Sequence, residues 1–390
     1  MMHSSQIHIG VDASNIRQGG GVTHLSRLLS YAEPETIGVE RVTVWAPKKT
    51  LSALPDPQWL VKRESAWVES SLPKRACWQQ RILPKALLAE KCSILFSPGG
   101  TTPYSSPVKT VSMSQNMLPF EPAEAALFGT FSFMRLKLRL LRSSQGSSFA
   151  RADGVIFLSR YARDRLINTL ALDPRRAVLI PHGVEPRFFQ LPRRARELAE
   201  CNSLAPFRLL YVSILMPYKH QIEIARAAAI LRMEGLPLTV DFIGASWGRY
   251  GATFESELRR LDPDRVFLRW LGEVPFEGLH LLYRDADGFV FASSCENLPN
   301  IMIEAMAAGL PILSSGRGPM PEVLGDDGCY FDPYVVDSIV AEMRRFLGDR
   351  EMRERLALGG SVRARRYSWK TCADETFAFI ASVARGRDSP

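Results

Sequence analysis

Short apolar runs alternate with stretches of helical periodicity along most of the chain. In the first half, the runs that predict strands cover residues 7–11, 41–45, 93–96, 109–113, 154–158 and 177–180. In the second half, they cover residues 208–212, 239–243, 266–270, 288–292 and 311–314. Strands separated by helical patterns are typical of βα units and of parallel sheets buried on both faces. Because the series occurs twice, the pattern predicts an α/β protein with two Rossmann-like domains.

The break between the two series falls between Pro181 and Pro206, in a segment rich in proline and charged residues. Such a composition is typical of a connection rather than of a buried element. We therefore expect a first domain over residues 1–190 and a second domain over residues 205–365. Residues 366–390 contain a Tyr-Ser-Trp sequence at 367–369 that is followed by a helical pattern, which predicts one last amphipathic helix.

The most informative segment is a strand, a turn and a helix in the second series. The strand predicted at 288–292 leads into a helix whose first turn can contain Pro299, because the missing N–H of a first-turn proline costs nothing. Gly309 closes the helix. Two carboxylates, Glu296 and Glu304, stand on either side of the helix start. In an open α/β sheet, ligands bind at this carboxyl edge of the strands.

The start of this helix has the chemistry of a sugar-phosphate site. The amides near Asn300 to Met302 are free helix donors at the positive end of the dipole, which suits a phosphate. Glu304 lies about one turn further in, where it can accept hydrogen bonds from sugar hydroxyls such as a ribose diol. Glu296 lies in the turn, at the mouth of the site. The alternative is an ordinary strand–helix unit with two surface glutamates.

Composition and charge narrow the range of partners. The 390 residues are 46% apolar and 23% charged, as in a globular protein, and the net charge of +8 favours anionic partners such as a nucleotide or a phospholipid surface. We see no nucleic-acid-binding motif and no apolar run of the roughly 20 residues that span a bilayer. Since no secretory signal is visible and the six cysteines lack metal-ligand spacing, we expect a cytoplasmic protein with reduced thiols.

The two glutamates and their surroundings resemble the Glu-x7-Glu element of retaining glycosyltransferases of family 4, which have the GT-B fold. Members usually read Glu-Gly-Phe-Gly-Leu-Pro at its start, whereas this chain reads Glu-Asn-Leu-Pro-Asn from Glu296. The resemblance implies two Rossmann-like domains facing each other across a cleft, with residues 366–390 crossing back to the first domain. It also implies a nucleoside-diphosphate-sugar donor, no cofactor and no metal.

The resemblance also assigns roles to individual residues. Lys219 and Glu296 would be the catalytic residues, with Lys219 neutralising the leaving diphosphate and Glu296 orienting the sugar, while Glu304 would hold the nucleotide ribose. Further substrate contacts are expected from Leu298, Pro299, Asn300, Gly20 and Gly21. The two glycines belong to a glycine run after the first strand, where the backbone can approach a ligand closely.

The chain departs from the family pattern at two places. Members commonly have an arginine a few residues before the equivalent of Lys219, and this chain has Ile214 there. Arg249 and Arg317 are the substitutes that we can name. Many relatives place a His-Asp pair after a first-domain strand, where this chain has Asn116. Asn116 would either hydrogen-bond a substrate hydroxyl or close a turn.

Two further motifs are not assigned to the site. Asp285 and Asp287 form an Asp-x-Asp pair of the kind that binds metal in another class of glycosyltransferase. They precede their predicted strand, at the edge of the sheet where ligands do not bind. His182 stands alone in a turn, and we interpret it as structural. With few, scattered histidines, the sequence predicts no metal site.

Residues 131–142 interleave apolar and basic side chains. As a helix, this segment would place Arg135, Arg139 and Arg142 on one stripe with leucines opposite, although it also fits the alternation of a strand. One interpretation is contact with an anionic membrane surface, near a lipid-linked acceptor. The other is a first-domain helix with a basic outer face.

The sequence favours a retaining hexosyltransferase that moves a sugar from a nucleotide sugar to a glycan or lipid-linked acceptor, in surface-polysaccharide synthesis. We expect it in the cytoplasm, with contact to the inner face of the membrane as an open option. Two alternatives remain. A nucleotide-sugar epimerase or phosphorylase on the same fold would need an acid or base at the sugar ring besides Glu296. A non-catalytic sugar-nucleotide-binding subunit is favoured by Ile214 in the arginine position.

Overall fold

The chain folds into two compact units. The computed structural model describes residues 6–246 and 248–386, so Trp247 and residues 387–390 of the last predicted segment lie outside the described residues. Unit 1 contains the residues before 121, residues 131–183 and the residues from 368 onwards. Unit 2 contains residues 121–130 and 184–367.

Each unit is built on one parallel sheet. Over the described residues, the sheet of unit 1 has seven strands in the order β3-β2-β1-β4-β5-β6-β7, and the sheet of unit 2 has six in the order β10-β9-β8-β11-β12-β13. The strands are β1 (Ile7–Asp12), β2 (Val39–Trp45), β3 (Leu60–Arg63), β4 (Ile94–Ser97), β5 (Lys109–Met113), β6 (Gly154–Phe157), β7 (Ala177–Leu179), β8 (Phe207–Val212), β9 (Leu238–Ile243), β10 (Leu268–Trp270), β11 (Gly288–Phe291), β12 (Ile312–Ser315) and β13 (Cys329–Phe331).

Helices connect the strands, as parallel pairing requires. They are α1 (Gly20–Ser30), α2 (Lys48–Ser52), α3 (Ala66–Glu69), α4 (Leu72–Cys77), α5 (Leu83–Ala89), α6 (Pro122–Ala126), α7 (Phe133–Arg151), α8 (Arg160–Leu170), α9 (Gln221–Met233), α10 (Gly248–Leu261), α11 (Phe276–Asp285), α12 (Asn300–Ala307), α13 (Met320–Leu324), α14 (Val336–Gly348), α15 (Arg350–Ala364) and α16 (Trp369–Ala384). Among the described residues, no helix is long and apolar enough to cross a membrane.

All eleven predicted strands are present, with ends shifted by at most two residues. The central strands β4, β6 and β11 are buried along their whole length, which is why they read as continuous apolar runs. The sequence analysis misses β3 and β13, each of which is one of the two outer strands of its sheet. β3 is largely half-buried, so it does not produce a continuous apolar run, and β13 covers only Cys329–Phe331. The alternating α/β architecture with two Rossmann-like units is confirmed.

The division of the chain differs from the expected boundary at residue 190. Residues 184–190 lie in unit 2, where Phe188 is fully buried and packs its ring against Tyr283, with centroids 5.8 Å apart. The Gln190 amide donates to the Ala307 carbonyl at 2.9 Å. The prolines in this segment are typical of a connection, but the Phe188 side chain is buried in unit 2, so the boundary between the units lies nearer the N-terminus than expected.

The last helix, α16, belongs to unit 1. The Ser368 side chain caps its start by accepting a hydrogen bond from the Thr371 amide at 3.3 Å. Phe379 lies against Gly154, where a Cβ atom would come within 2.8 Å of its ring. Near the other end of the helix, Lys109 donates to the Val383 carbonyl at 2.9 Å. The C-terminal segment therefore packs on the sheet that the first half of the chain forms.

Candidate functional site

The start of α12 lies directly after strand β11 in unit 2. The first hydrogen bond of this helix runs from the Met302 amide to the Pro299 carbonyl, at 3.0 Å. Met302 is therefore not one of the free donors that we expected, and the amides that precede this bond belong to Asn300 and Ile301. Gly309 ends the segment at a φ of +67°, a backbone conformation that favours glycine.

Lys219 and Glu296 form an ion pair at the carboxyl edge of the unit 2 sheet. Strands β8 and β11 are neighbours in this sheet, and Lys219 follows β8 while Glu296 follows β11. The Lys219 ammonium group donates to Glu296 Oε1, with 7% of the lysine side chain and 16% of the glutamate side chain exposed. The structure thus brings together the two residues to which the sequence assigns catalysis.

Aromatic rings surround the Lys219 ammonium group. It lies 5.1 Å from the centroid of the Tyr218 ring and 5.5 Å from that of Phe291. Ring faces attract cations, and most of the water around this group is replaced by protein. A cation and a carboxylate held here interact more strongly than at a solvated surface, and each is costly to leave unpaired.

Tyr211 on β8 fixes the backbone on both sides of this pair. Its buried hydroxyl donates to the Lys219 carbonyl and accepts from the Ala292 amide at 3.3 Å. Burial raises the pKa of this hydroxyl well above its ordinary value, so that it remains a donor. The sequence analysis assigned Tyr211 to an apolar strand; a hydroxyl in an otherwise apolar run was the available indication of a polar role.

Glu304 is buried one turn inside α12. The Tyr283 hydroxyl lies 3.2 Å from Glu304 Oε2 and 3.0 Å from the Ile301 carbonyl. Burial raises the pKa of Glu304 to about 8, with a smaller upward contribution from Glu185, while the hydrogen bond from Tyr283 acts in the opposite direction. This shift favours the protonated carboxyl at neutral pH. The sequence analysis missed Tyr283, since the helical stripe that contains it gives no sign of a partner.

The residues proposed to replace the missing arginine lie on different elements. Arg317 donates to Asp332 at 2.7 Å, and the turn containing it packs near Glu296, since a Cβ on Gly318 would lie 3.9 Å from the Glu296 amide. Arg249 is exposed in the first turn of α10. Among the described residues, no hydrogen bond or ion pair joins Arg249 to the Lys219 ion pair.

The turn around Ile214 adjoins the turn that precedes α10. The Leu215 amide donates to the Ala245 carbonyl at 2.9 Å, and Leu215 forms an isolated bridge with Ser246. The Gln221 side chain donates to the Ile214 carbonyl at 3.0 Å, while its Oε1 atom is buried without a hydrogen-bond partner in the part of the chain that the structure describes. Ile214 therefore lies half-buried in a hydrogen-bonded turn, and its side chain is uncharged.

The glycine run of unit 1 lies at the start of α1. Gly19 has a φ of +65° and precedes the helix, and Gly20 is exposed with open space where its Cβ would be. A Cβ on Gly21 would lie 3.4 Å from Gln115 Oε1. Gly19 is thus explained by its backbone conformation, whereas the structure of unit 1 itself does not require a glycine at position 20.

A buried carboxylate that the sequence analysis did not single out precedes this glycine run. Asp12 ends β1, and its oxygens accept from the Ser14 amide at 3.0 Å and from Gln79 Nε2 at 2.5 Å. Burial raises the pKa of Asp12, while the hydrogen bonds from Ser14 and Gln79 oppose the shift. Gln79 comes from a π-helical turn, Trp78–Ile82, and such turns are frequent at functional sites.

Asn116 closes a turn in unit 1. It is exposed, and its Oδ1 accepts from the Leu118 amide at 3.0 Å. This is the turn-closing geometry that the sequence left open as an alternative. The side-chain NH₂ group of Asn116 is chemically able to donate to a substrate hydroxyl as well, because the turn uses only the oxygen.

The motifs set aside in the sequence have structural contacts. Asp287 accepts from Arg196 at 3.0 Å and from the Arg208 amide at 2.9 Å, so it holds the start of β8 rather than a metal. His182 and His24 are both buried in unit 1, with their Nδ1 atoms 2.6 Å apart. Over the described residues, no group of three or more histidine, cysteine or acidic side chains could hold a metal ion.

Helix α7 contains most of the interleaved segment 131–142, so the helical interpretation of these residues is confirmed and the strand interpretation is wrong. The expected division into a basic outer stripe and a leucine core does not hold. Leu138 is buried, but an apolar stripe faces outwards, with exposed fractions of 80% for Phe133, 54% for Leu136 and 64% for Leu140. Basic residues flank it, because Lys137 and Arg139 are also exposed.

Comparisons with known proteins agree with this architecture. The chain is 28% identical over 247 residues to the O-antigen chain mannosyltransferase B of Escherichia coli; the match covers 62% of this chain and 63% of that relative, which is less than two thirds of its length. A solved structure of Anabaena Alr3699/HepE in complex with UDP matches with a TM-score of 0.68 at 16% identity, covering 95% of this chain and 98% of that one. The structure of WaaG, a glycosyltransferase involved in lipopolysaccharide biosynthesis, matches with a TM-score of 0.70 at 15% identity, covering 96% and 99%.

These structural likenesses show the GT-B fold, which the resemblance to family 4 implied. The family model of the glycosyl transferases group 1 matches residues 202–360, a range that includes Lys219, Glu296 and Glu304. Residues 202–360 therefore form a glycosyl transferases group 1 domain.

Proposed function

We propose that this protein is a retaining, metal-independent glycosyltransferase that transfers a hexose-type sugar from a nucleoside diphosphate to a glycan or lipid-linked acceptor. The observation that carries the proposal is the Lys219–Glu296 ion pair, in which Glu296 belongs to the turn that leads from β11 into α12, within the glycosyl transferases group 1 domain. A cation next to a helix start suits a diphosphate, and a carboxylate next to that cation suits sugar hydroxyls.

Binding of the donor would separate Lys219 from Glu296, because each side chain would contact a different half of the donor. Lys219 would turn towards the diphosphate, assisted by the amides of Leu298 and Asn300, and Pro299 would set the direction in which the chain enters the helix. Glu296 would accept hydrogen bonds from the sugar and orient the anomeric carbon. The ion pair already holds both groups close to these positions.

Glu304 would hold the ribose of the nucleotide. Its carboxyl and the Tyr283 hydroxyl already form a hydrogen-bonded pair, so a ribose diol would meet a preorganised partner. The raised pKa of Glu304 implies that binding to the ionised form is coupled to loss of a proton. The glycine run with Gly20 and Gly21 would supply further backbone donors, and Arg317 or Arg249 would meet remaining negative charge.

The transfer would need no nucleophile from the protein. The acceptor hydroxyl would form a bond to the anomeric carbon while the bond between that carbon and the diphosphate oxygen breaks. The hydroxyl proton would pass to the departing phosphate, so that atoms and charges balance. In this scheme Lys219 and the amides at the start of α12 stabilise the negative charge that develops on the leaving group.

The acceptor and the location are further parts of this proposal. The E. coli relative is by name an O-antigen chain mannosyltransferase, which supports a role in surface-polysaccharide synthesis. The exposed apolar stripe of α7, formed by Phe133, Leu136 and Leu140 with basic neighbours, supports contact with an anionic membrane. We therefore place the protein in the cytoplasm, at the inner face of the membrane, near a lipid-linked acceptor. Asn116 is the residue of unit 1 that we expect to contact a substrate hydroxyl.

The test is a screen of purified protein against uridine, guanosine and thymidine diphosphate sugars. Thermal shift identifies the nucleotide, because a ligand that binds only the native state raises its stability. The donor so identified is then incubated with saccharide and lipid-linked acceptors, and NMR of the product reads its anomeric configuration. A glycoside with the donor's configuration supports the proposal, and an inverted product contradicts the retaining step.

A non-catalytic role is the second candidate, and the uncharged Ile214 is the observation that favours it. Under this candidate the protein binds a sugar nucleotide but turns over none of the acceptors. Incubating the donor without an acceptor tests the remaining alternative, an epimerase, because that enzyme would produce an isomerised nucleotide sugar.

A further inference from the structure

Residues 121–130, the inserted segment, belong to unit 2, although the residues before and after them belong to unit 1. The segment contains the short helix α6 (Pro122–Ala126). Most of its side chains are exposed or half-buried, but Glu124 is buried, with 7% of the residue exposed. A buried carboxylate on a short, largely exposed segment calls for a specific partner, because burying a charge without one is costly.

Glu124 has two hydroxyl partners from elsewhere in unit 2. Ser294 Oγ donates to Glu124 Oε2 at 2.6 Å, and the Tyr334 hydroxyl donates to Glu124 Oε1. Ser294 lies in the loop that follows β11, two residues before Glu296. Tyr334 lies beyond β13, just before α14. One carboxylate therefore cross-links two loops at the carboxyl edge of the sheet.

Ser294 extends the network to the turn that contains Lys219. The Ser294 amide donates to the Tyr218 carbonyl at 2.9 Å, and Ser294 Oγ lies 3.0 Å from His220 Nε2. Because the single hydroxyl hydrogen of Ser294 is directed to Glu124, its oxygen accepts from His220, which assigns the proton of the imidazole to Nε2. The same serine thus joins the turn at Lys219 to the loop at Glu296.

Aromatic contacts support the same two loops. The Phe128 ring of the inserted segment lies against the Tyr218 ring, with centroids 6.3 Å apart, and the Lys219 ammonium group lies 5.1 Å from that Tyr218 centroid. The Tyr334 ring packs edge-on against His220 at 4.7 Å. Of the residues that the inserted segment contacts, Tyr218 directly precedes Lys219 and Ser294 lies two residues before Glu296. The third, Tyr334, packs against His220, which directly follows Lys219.

We propose that Glu124 is a positioning residue for the Lys219–Glu296 pair, an inference that rests on the function proposed above. The carboxylate presents one acceptor oxygen to each hydroxyl, whereas the amide of a glutamine would present an NH₂ group to one of them. Loss of one acceptor releases Ser294 or Tyr334, and Ser294 can then rotate towards the Tyr218 carbonyl, which is 3.2 Å away. The loop carrying Glu296 then loses its anchor on the inserted segment and is held only by its contacts with the turn carrying Lys219.

The experiment compares Glu124→Gln and Ser294→Ala with the wild type in the transferase assay. Because the network would act on geometry at the reacting centre, we expect kcat to fall about tenfold in each variant while KM for the donor changes less than twofold. The kcat of the double variant should be about as low as that of the more impaired single variant, because both changes break the same link. Glu351→Gln, at an exposed glutamate of the same unit, is the matched control and should behave like the wild type.

The possible results are distinct. A wild-type kcat for Glu124→Gln, measured on folded protein, would overturn the positioning role and leave the transferase proposal standing. Additive losses in the double variant would also overturn it, because they would show two independent effects. A wild-type protein that turns over no nucleotide sugar would instead overturn the proposed function.

Discussion

Tyr283 and Glu304 form a hydrogen-bonded pair in unit 2, with the tyrosine hydroxyl 3.2 Å from Glu304 Oε2 and both side chains buried. The pair lies under the start of α12, one turn away from the free helix amides. Burial raises the pKa of Glu304 to about 8 and the pKa of Tyr283 well above its ordinary value. The carboxyl at the point where we expect a ribose to bind therefore favours its neutral form at neutral pH.

Glu304→Gln should change how stability depends on pH. The folded protein binds a proton at Glu304 up to about pH 8, whereas the unfolded chain loses it near the ordinary value of 4.5. The neutral group contributes its full stability below pH 4.5, and this contribution is lost as the pH rises towards 8. The free energy of unfolding falls by at most about 1.4 kcal/mol per pH unit in this range. Glutamine keeps an acceptor for Tyr283 and does not titrate.

Urea unfolding of both proteins at pH 5.5, 6.5 and 7.5 checks this prediction. The wild type should lose stability relative to Glu304→Gln over this series, so that the variant is relatively most stable at the highest pH. Parallel curves for the two proteins would show that Glu304 is ionised throughout. The same variant should bind nucleoside diphosphate more weakly if Glu304 holds the ribose.

Lys219→Ala should lower kcat by roughly 10²–10³, the loss typical of one preorganised group that stabilises developing negative charge. The change also leaves the Glu296 carboxylate without its cation, so circular dichroism and the melting temperature must confirm folding. Lys49→Ala, at an exposed lysine, is the charge-matched control. Turnover near the wild-type value in folded Lys219→Ala would remove this lysine from the mechanism.

Gly183→Ala should disturb the attachment of α16 to unit 1. A Cβ at this position would lie 2.1 Å from the Trp369 amide nitrogen, and because the neighbour is backbone it cannot simply rotate away. We expect a loss of several kcal/mol in unfolding free energy. Gly348→Ala, where nothing lies within 4 Å of the added atom, is the control and should be neutral or slightly stabilising. Equal melting temperatures for the two variants would contradict the packing seen at Gly183.

Replacing Phe133 and Leu140 by serine should weaken binding to vesicles that contain anionic phospholipid. Both side chains are largely exposed on α7 next to basic residues, so the change removes apolar area that would enter the membrane interface. Sedimentation with vesicles, at low and high salt, measures the effect. Leu204→Ser, at a leucine that is 96% exposed in unit 2, is the matched control. Equal binding of all three proteins would show that α7 is not the contact.

The fold was largely predictable from the sequence because most strands are buried and therefore form recognisable apolar runs. Strands such as β6 and β11 are apolar along their whole length, and runs of this kind can be recognised without any tertiary contact. The exceptions were the outer strands β3 and β13 and the segment around Phe188, whose side chain is buried in unit 2. Edge strands and connections carry few apolar residues, so their places are fixed by tertiary structure.

The candidate site was only partly predictable from the sequence. Lys219 and Glu296 could be placed at one edge because each follows a recognisable strand. Glu124 could not, since it is far from both in sequence and meets Ser294 only through the tertiary fold. The raised pKa of Glu304 likewise depends on burial that a helical pattern alone does not specify.

The most direct test is a crystal structure of the protein with its nucleotide-sugar donor. The account predicts the diphosphate against the amides of Leu298 and Asn300, with the Lys219 ammonium group turned from Glu296 towards a phosphate oxygen and the ribose on Glu304. A donor bound elsewhere, or one whose diphosphate lies away from the start of α12, would contradict the central claim.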